Sequence, residues 1–245
     1  MSEIIKTEAV VLSKLNYGDT SLIVSLFTKE LGKISGIVKG GRNPKSKIAL
    51  KVDPLNYLEI VFYNKLNREL QIVSSADIIL HYPGIKSELE KLKYAQSVLE
   101  IVKFLTVEHE QNVKLFNGIV RILSLLENSQ NNQNLIFARF FLFFISEIGY
   151  QIQFDKCISC GSTDFVGMSL AYNFERGTLC NNCRKDYLDF FEINPELLDC
   201  LIGLKTNKIM ENVGKKTIDN AIAFMEKFLK YHISDFKGIQ SLKLL

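Results

Sequence analysis

Through the first 80 residues the apolar positions fall in short, partly alternating runs separated by turn-forming residues, which is the period of β-strands. Five runs stand out, at 4–14, 20–28, 33–39, 55–63 and 70–77. The breaks carry Asn16-Tyr17-Gly18-Asp19, Leu31-Gly32, Asp53-Pro54 and a polar stretch over 64–69. Gly18 is free to take a positive φ in such a turn. Five short strands in this length predict a small closed or partly closed barrel, because closure removes exposed sheet edges. Residues 40–47, Gly-Gly-Arg-Asn-Pro-Lys-Ser-Lys, separate the third strand from the fourth, and their Gly, Pro and Asn predict a loop.

From Gly84 onward the period becomes helical. Ser87-Glu88-Leu89-Glu90 has capping-box form, with Ser87 as N-cap, and Leu92, Ala95, Leu99 and Val102 then share one face. A second helix is predicted over 113–126 through Phe116, Ile119, Val120 and Leu123, followed by the polar loop 128–134. The helix predicted over 135–148 is apolar nearly all round (Phe137, Phe140, Phe141, Phe143, Phe144), which suits a central helix surrounded by others. Gly149 would end it. Asn194-Pro195-Glu196 opens another helix with Pro in its first position, and a last one runs over about 217–231. The expected fold class is α+β: a five-stranded barrel over 1–80, then a helical domain over 81–245.

Between two of those helices lie Cys157-Ile-Ser-Cys160-Gly161 and Cys180-Asn-Asn-Cys183, with nineteen residues separating the pairs. This is the spacing of a four-thiolate zinc site. Two residues between thiols let a tight knuckle aim both sulfurs at one ion, and the long middle segment returns the second knuckle to complete a tetrahedron. Four thiolates leave no open position for water or substrate, so one structural Zn2+ is expected, held by Cys157, Cys160, Cys180 and Cys183 in an insertion at about 152–190. Cys200, in an apolar helical stretch, reads as a small core residue.

The chain has 245 residues, 47% apolar and 23% charged, as a globular protein does. Its apolar run over 135–145 is too short to cross a bilayer, which takes about 20 residues. The start, Met1-Ser-Glu-Ile-Ile-Lys, shows no secretory pattern, so a cytoplasmic location is expected. Chemistry of the enzymatic kind is not in view: His81, His109 and His232 are far apart in sequence, and no phosphate loop, G-x-S-x-G or H-E-x-x-H is present. A binding protein is expected rather than an enzyme.

Net charge is only +3, but residues 33–51 carry six basic side chains and no acidic one. A solvated loop is one reading of such a run. The other is a nucleic-acid surface, since small five-stranded barrels bind single strands along one face and its loops. Nearby aromatics are Tyr17, Phe27, Tyr57, Phe62 and Tyr63; alternation puts Phe62 and Tyr63 on opposite faces, and Tyr17 and Tyr63 are the best placed to face a ligand.

The strings Lys6-Thr-Glu-Ala-Val-Val-Leu, Asn16-Tyr-Gly-Asp, Leu26-Phe-Thr, Gly32-Lys33, Val38-Lys-Gly-Gly-Arg42, Lys45-Ser-Lys47, Asp53-Pro-Leu55 and Arg68-Glu-Leu-Gln71 closely resemble the bacterial recombination-mediator family RecO. The two cysteine pairs, with Gly177 before the second, resemble its zinc-binding version. The resemblance implies an OB-fold barrel, a helical domain with an inserted zinc module, and a protein that binds single- and double-stranded DNA and anneals complementary strands. It also implies work with RecR, and sometimes RecF, in loading RecA onto DNA coated by single-strand-binding protein, whose acidic tail would meet the helical domain. Carried onto matching positions, Lys39, Arg42, Lys45 and Lys47 would contact phosphates, with Lys33 a further contact. Where the family often has Ala-Arg-Arg, this chain has Gly41-Arg42-Asn43, one positive charge fewer. An RNA-binding barrel protein and a scaffold for an acidic protein tail are the alternatives.

Overall fold

The first strand, β1 (Glu3–Tyr17), is long enough to serve two partners. Its first half pairs antiparallel with β4 (Tyr57–Asn64) and its second with β2 (Ser21–Thr28), and an irregularity between Val11 and Ser13 bends it from one to the other. β3 (Gly32–Val38) continues from β2, and β5 (Gln71–Leu80) from β4. A short parallel contact of Gly36 and Ile37 with Gln71 and Ile72 closes the barrel, in the order β1-β2-β3-β5-β4. This computed structural model describes residues 3–65, 67–165, 168–187, 189–206, 208 and 213–243. Met1 and Ser2, which open the segment read for a leader, lie outside them.

The alternation expected from the sequence is what fills the barrel. Val11, Val24, Leu26, Ile34, Leu58, Ile60 and Phe62 point inward and are fully buried. The fourth strand starts two residues later than predicted because Leu55 takes φ +77°, a left-handed conformation that no strand contains. Buried Asn56 shapes that entry: its Nδ2 donates to the Lys51 carbonyl at 2.8 Å, and its own N–H to Asp53. Gln71 does the same for the preceding turn, donating to the carbonyls of Arg68 and Lys65 and accepting from the Lys65 N–H.

The expected capping box does not form. Ser87 instead closes α1 (Pro83–Ser87), with its hydroxyl on the Gly84 carbonyl, and α2 (Leu89–Leu105) begins after Glu88 without a side-chain cap. Glu127, at the end of α3 (Val113–Glu127), caps α1 from a distance, accepting from the N–H groups of Gly84 and Ile85 at 2.9 and 2.8 Å. Asn112 caps α3 on the Leu115 N–H.

The segment joining α2 to α3 runs beside β3. Glu108 forms a parallel bridge with Lys33, and the His109 N–H donates to the Lys33 carbonyl at 2.9 Å. Packing therefore divides the chain beyond the strand-to-helix change at residue 80: one unit is Met1–Gln133 with Ile239–Leu245, the other Asn134–Gly238. Gly32 sits under that segment at φ +64°, and a Cβ there would fall on the Glu110 carbonyl. Gly32→Ala is expected to cost about 2 kcal/mol, from crowding plus backbone strain. Gly40→Ala, equally left-handed but in open space, should cost about 1 kcal/mol or less. Denaturant titrations of the two variants check this, and equal losses would mean the segment yields freely.

In the second unit, α4 (Gln133–Glu147) buries Phe137, Phe140, Phe141 and Phe144, the central role its composition predicts. Gly149 at φ +91° follows it. The segment after it holds a three-stranded sheet that the sequence pattern does not show, β6 (Leu170–Asn173), β7 (Gly177–Leu179) and β8 (Phe191–Ile193), in the order β7-β6-β8. α5 (Pro195–Thr206) opens as expected, with the Asn194 side chain accepting from the Leu197 N–H. Phe224 of α6 (Lys215–His232) packs on Tyr172 at 5.1 Å and Phe154 at 6.0 Å between ring centroids, anchoring the small sheet. Among the described residues no helix is long and apolar enough to cross a membrane.

Candidate metal centre and nucleic-acid interface

Two knuckles carry the four cysteines. In the first, the Gly161 N–H returns to the Cys157 carbonyl at 2.9 Å, and Gly161 at φ +74° lets the chain turn away. In the second, the N–H groups of Cys183 and Arg184 both reach the Cys180 carbonyl, opening a one-turn 3-10 helix over Cys183–Asp186. The knuckles meet because Ile158 donates to the Thr178 carbonyl of β7 at 2.9 Å. Gly177 keeps this approach open, since a Cβ there would lie 3.2 Å from Ile158 Cγ2.

All four sulfurs lie within 4.8 Å of one another, and Cys160 and Cys180 stand 3.8 Å apart. Four sulfurs at about 2.3 Å from a tetrahedral ion would be about 3.8 Å apart, so the cluster fits one metal ion. The electrostatics agree. Burial opposes ionisation of Cys157, but N–H groups of Cys160, Cys180 and Ser159 aim at its sulfur and together bring it down to about 6. Ser159 favours the Cys183 thiolate, yet the neighbouring sulfurs outweigh it and push Cys183 up to about 12. A divalent cation is what allows four clustered thiols to ionise together.

The basic loop lies on the other unit. Gly40 turns it at φ +65°, and buried Gly41 packs where a Cβ would be 2.9 Å from Leu22. The Arg42 N–H donates to the Thr20 carbonyl at 2.8 Å and its guanidinium to the Gly18 carbonyl, which ties the loop to the β1–β2 turn. Further along, Ile48 and Ala49 pack on the barrel core and Val52 is fully buried. Lys39, Arg42, Lys45 and Lys47 are all exposed, and among the described residues none forms an ion pair. Lys51, by contrast, pairs with Asp77 at 2.7 Å.

Family comparisons agree with this layout. Residues 1–82 match the family model described as Recombination protein O N terminal, and residues 86–238 match Recombination protein O C terminal. The chain belongs to the RecO family. The DNA repair protein RecO of Alkaliphilus metalliredigens (strain QYMF) is 30% identical over 232 residues, 94% of this chain and 92% of that one. That of Acetivibrio thermocellus is 27% identical over 230 residues, 92% of this chain and 90% of its own. That of Chlorobium limicola is 34% identical over 158 residues, 64% of this chain, and the match spans only 60% of the Chlorobium protein. The two family segments meet at the strand-to-helix change near residue 80, not at the packing division after Gln133.

One residue expected at a phosphate, Lys33, is engaged elsewhere in this RecO chain. Lys33 turns inward, donating to the carbonyls of Lys103 at 2.8 Å and Thr106 at 2.5 Å, the last carbonyls of α2 and its cap. Burial lowers its pKa first, with Glu108 acting against this and Lys103 with it. To meet a phosphate, Lys33 would have to give up its bonds to these orphan helix carbonyls. Lys33→Met should therefore lower stability by about 1 kcal/mol while leaving the salt dependence of any DNA binding unchanged; a flattened salt slope would return Lys33 to the interface. Its place at the start of a predicted strand set it apart from the loop lysines, but its partners, some seventy residues away, left no local signal. The aromatics divide as alternation predicts: Phe27 and Phe62 are buried, Tyr57 packs on Phe116 and donates to Glu8, and Tyr17 and Tyr63 are exposed.

Proposed function

We propose that this RecO-family chain is a non-enzymatic DNA-repair and recombination mediator that binds single- and double-stranded DNA through its barrel and anneals complementary strands. The observation that carries this is the loop of Lys39, Arg42, Lys45 and Lys47, four exposed cations with no carboxylate partner among the described residues, on a closed five-stranded barrel. Such cations neutralise phosphates without reading sequence. Screened in this way, two strands can be held together while base pairing supplies the favourable free energy, with no covalent step. The name carried by the relatives, DNA repair protein RecO, supports the same reading.

In this reading the cysteine cluster holds one structural Zn2+ that braces the second unit, and the protein works in the cytoplasm, at the nucleoid during repair. RecR, RecF, RecA and the acidic tail of single-strand-binding protein are its proposed partners. The test is binding of a fluorescent single strand across a salt series, followed by annealing of complementary strands. Affinity should fall with salt at a log–log slope of about −0.7 per phosphate neutralised. A protein that ignores single strands at low salt is not this mediator, and an acidic-peptide titration would then test the scaffold alternative.

A further inference from the structure

β1 ends in an apolar pair set on one face, Leu15 and Tyr17, with 60% and 50% of their surfaces exposed. Tyr17 stands opposite Ser21 on β2, a side chain too small to cover a ring. Among the described residues, the side chain of Tyr17 makes no hydrogen bond, ring contact or ion pair. The next carbonyl along the chain, that of Gly18, accepts from the Arg42 guanidinium. An open phenol ring and one of the loop's cations are thus held within one residue of each other along the chain by a hydrogen bond.

Tyr63 offers no such arrangement, although it too is exposed. It pairs with Ile72 on β5, which in turn pairs with Ile37 of β3, so it flanks the end of β3 across β5 as Tyr17 does across β2. What sets Tyr17 apart is its neighbour Gly18, whose carbonyl is bonded to a loop cation.

Cations alone give no preference for single strands, because a duplex presents phosphates at higher density. An aromatic face discriminates: the bases of a duplex are stacked on one another, while those of a single strand are free to stack on protein. We propose that Tyr17 is the base-stacking platform of the basic-loop site and the residue that makes this chain prefer single strands to duplex. This rests on the DNA-binding reading above and adds the selectivity that the lysines cannot supply.

The test uses one fluorescent 20-nucleotide single strand and its duplex, titrated with wild type, Tyr17→Phe, Tyr17→Leu, Tyr17→Ala and Tyr63→Ala, with thermal melts of each. Tyr17→Ala and Tyr17→Leu are expected to weaken single-strand binding about tenfold, the low end for loss of one base stack. Duplex binding should change by less than about twofold and the salt slope should not change, since every phosphate-binding cation is still in place. Tyr17→Phe should retain wild-type binding, because the ring and not the hydroxyl is used, and Tyr63→Ala should match wild type. The proposal is overturned if Tyr17→Leu binds single strands as wild type does, if both variants lose single strand and duplex equally, or if Tyr63→Ala has as large an effect. Wild type that binds neither DNA overturns the functional reading as well, so the two failures are distinguishable.

Discussion

Removing the metal, or replacing Cys160 with serine, is expected to unfold the segment around residues 152–193 and to lower the stability of the second unit by about 3 kcal/mol or more. Its sheet consists of strands of three and four residues, too short to stand without the ion or the packing it enforces. The knuckles that hold it meet chiefly through one backbone hydrogen bond, Ile158 to Thr178, and through the sulfurs themselves. Cys200→Ser serves as the comparison. Cys200 is fully buried in α5 and its thiol is pushed up to about 11 by burial, as in a core residue. A serine hydroxyl there costs about 1–2 kcal/mol and leaves the metal in place. Elemental analysis should give about one zinc per wild-type chain and about one for Cys200→Ser, but far less for Cys160→Ser. Metal affinity should rise with pH, because protons compete for the thiols that must ionise. Equal melting temperatures with and without metal would remove the bracing role.

The parts of this fold legible in the sequence are those with a short-range physical cause. Alternation separated Phe62 from Tyr63, and Phe62 is buried beside exposed Tyr63. The cysteine spacing found the four-sulfur cluster because a knuckle needs only a few residues to aim two sulfurs. What stayed hidden depends on distant partners. The capping box at Ser87 failed because Glu127 supplies the N-terminal cap of α1 from forty residues away, and α2 then starts one residue later. Lys33 stood at the head of a predicted strand, and only the approach of the end of α2 assigned it to helix carbonyls. The β6–β8 sheet was missed because strands of this length carry too few positions to show a period.

Neutralising Lys39, Arg42, Lys45 and Lys47 together, as glutamines, is expected to weaken single-strand binding about 100-fold at low salt and to flatten the log–log salt slope by about 2.8, at 0.7 for each phosphate no longer neutralised. Two features of the loop make this a test of binding and not of folding. Its shape is set by its backbone, through the N–H groups of Gly41, Asn43, Ser46 and Val52 on nearby carbonyls, and by Ile48, Ala49 and Val52 packed on the barrel. None of the four side chains is buried or ion-paired among the described residues, so their loss should change stability by about 0.5 kcal/mol or less. Arg42 alone has a tie to preserve, its hydrogen bond to the Gly18 carbonyl. A triple variant that keeps Arg42 controls for it, and should flatten the slope by about 2.1 while leaving the β1–β2 turn held. If the quadruple variant loses affinity with its slope intact, the loop acts through shape and not charge. If it melts well below wild type, these residues support the barrel. A flattened slope with an unchanged melt leaves the loop as the phosphate-binding surface, and a Tyr17 variant should then alter the single-strand preference of what binding remains.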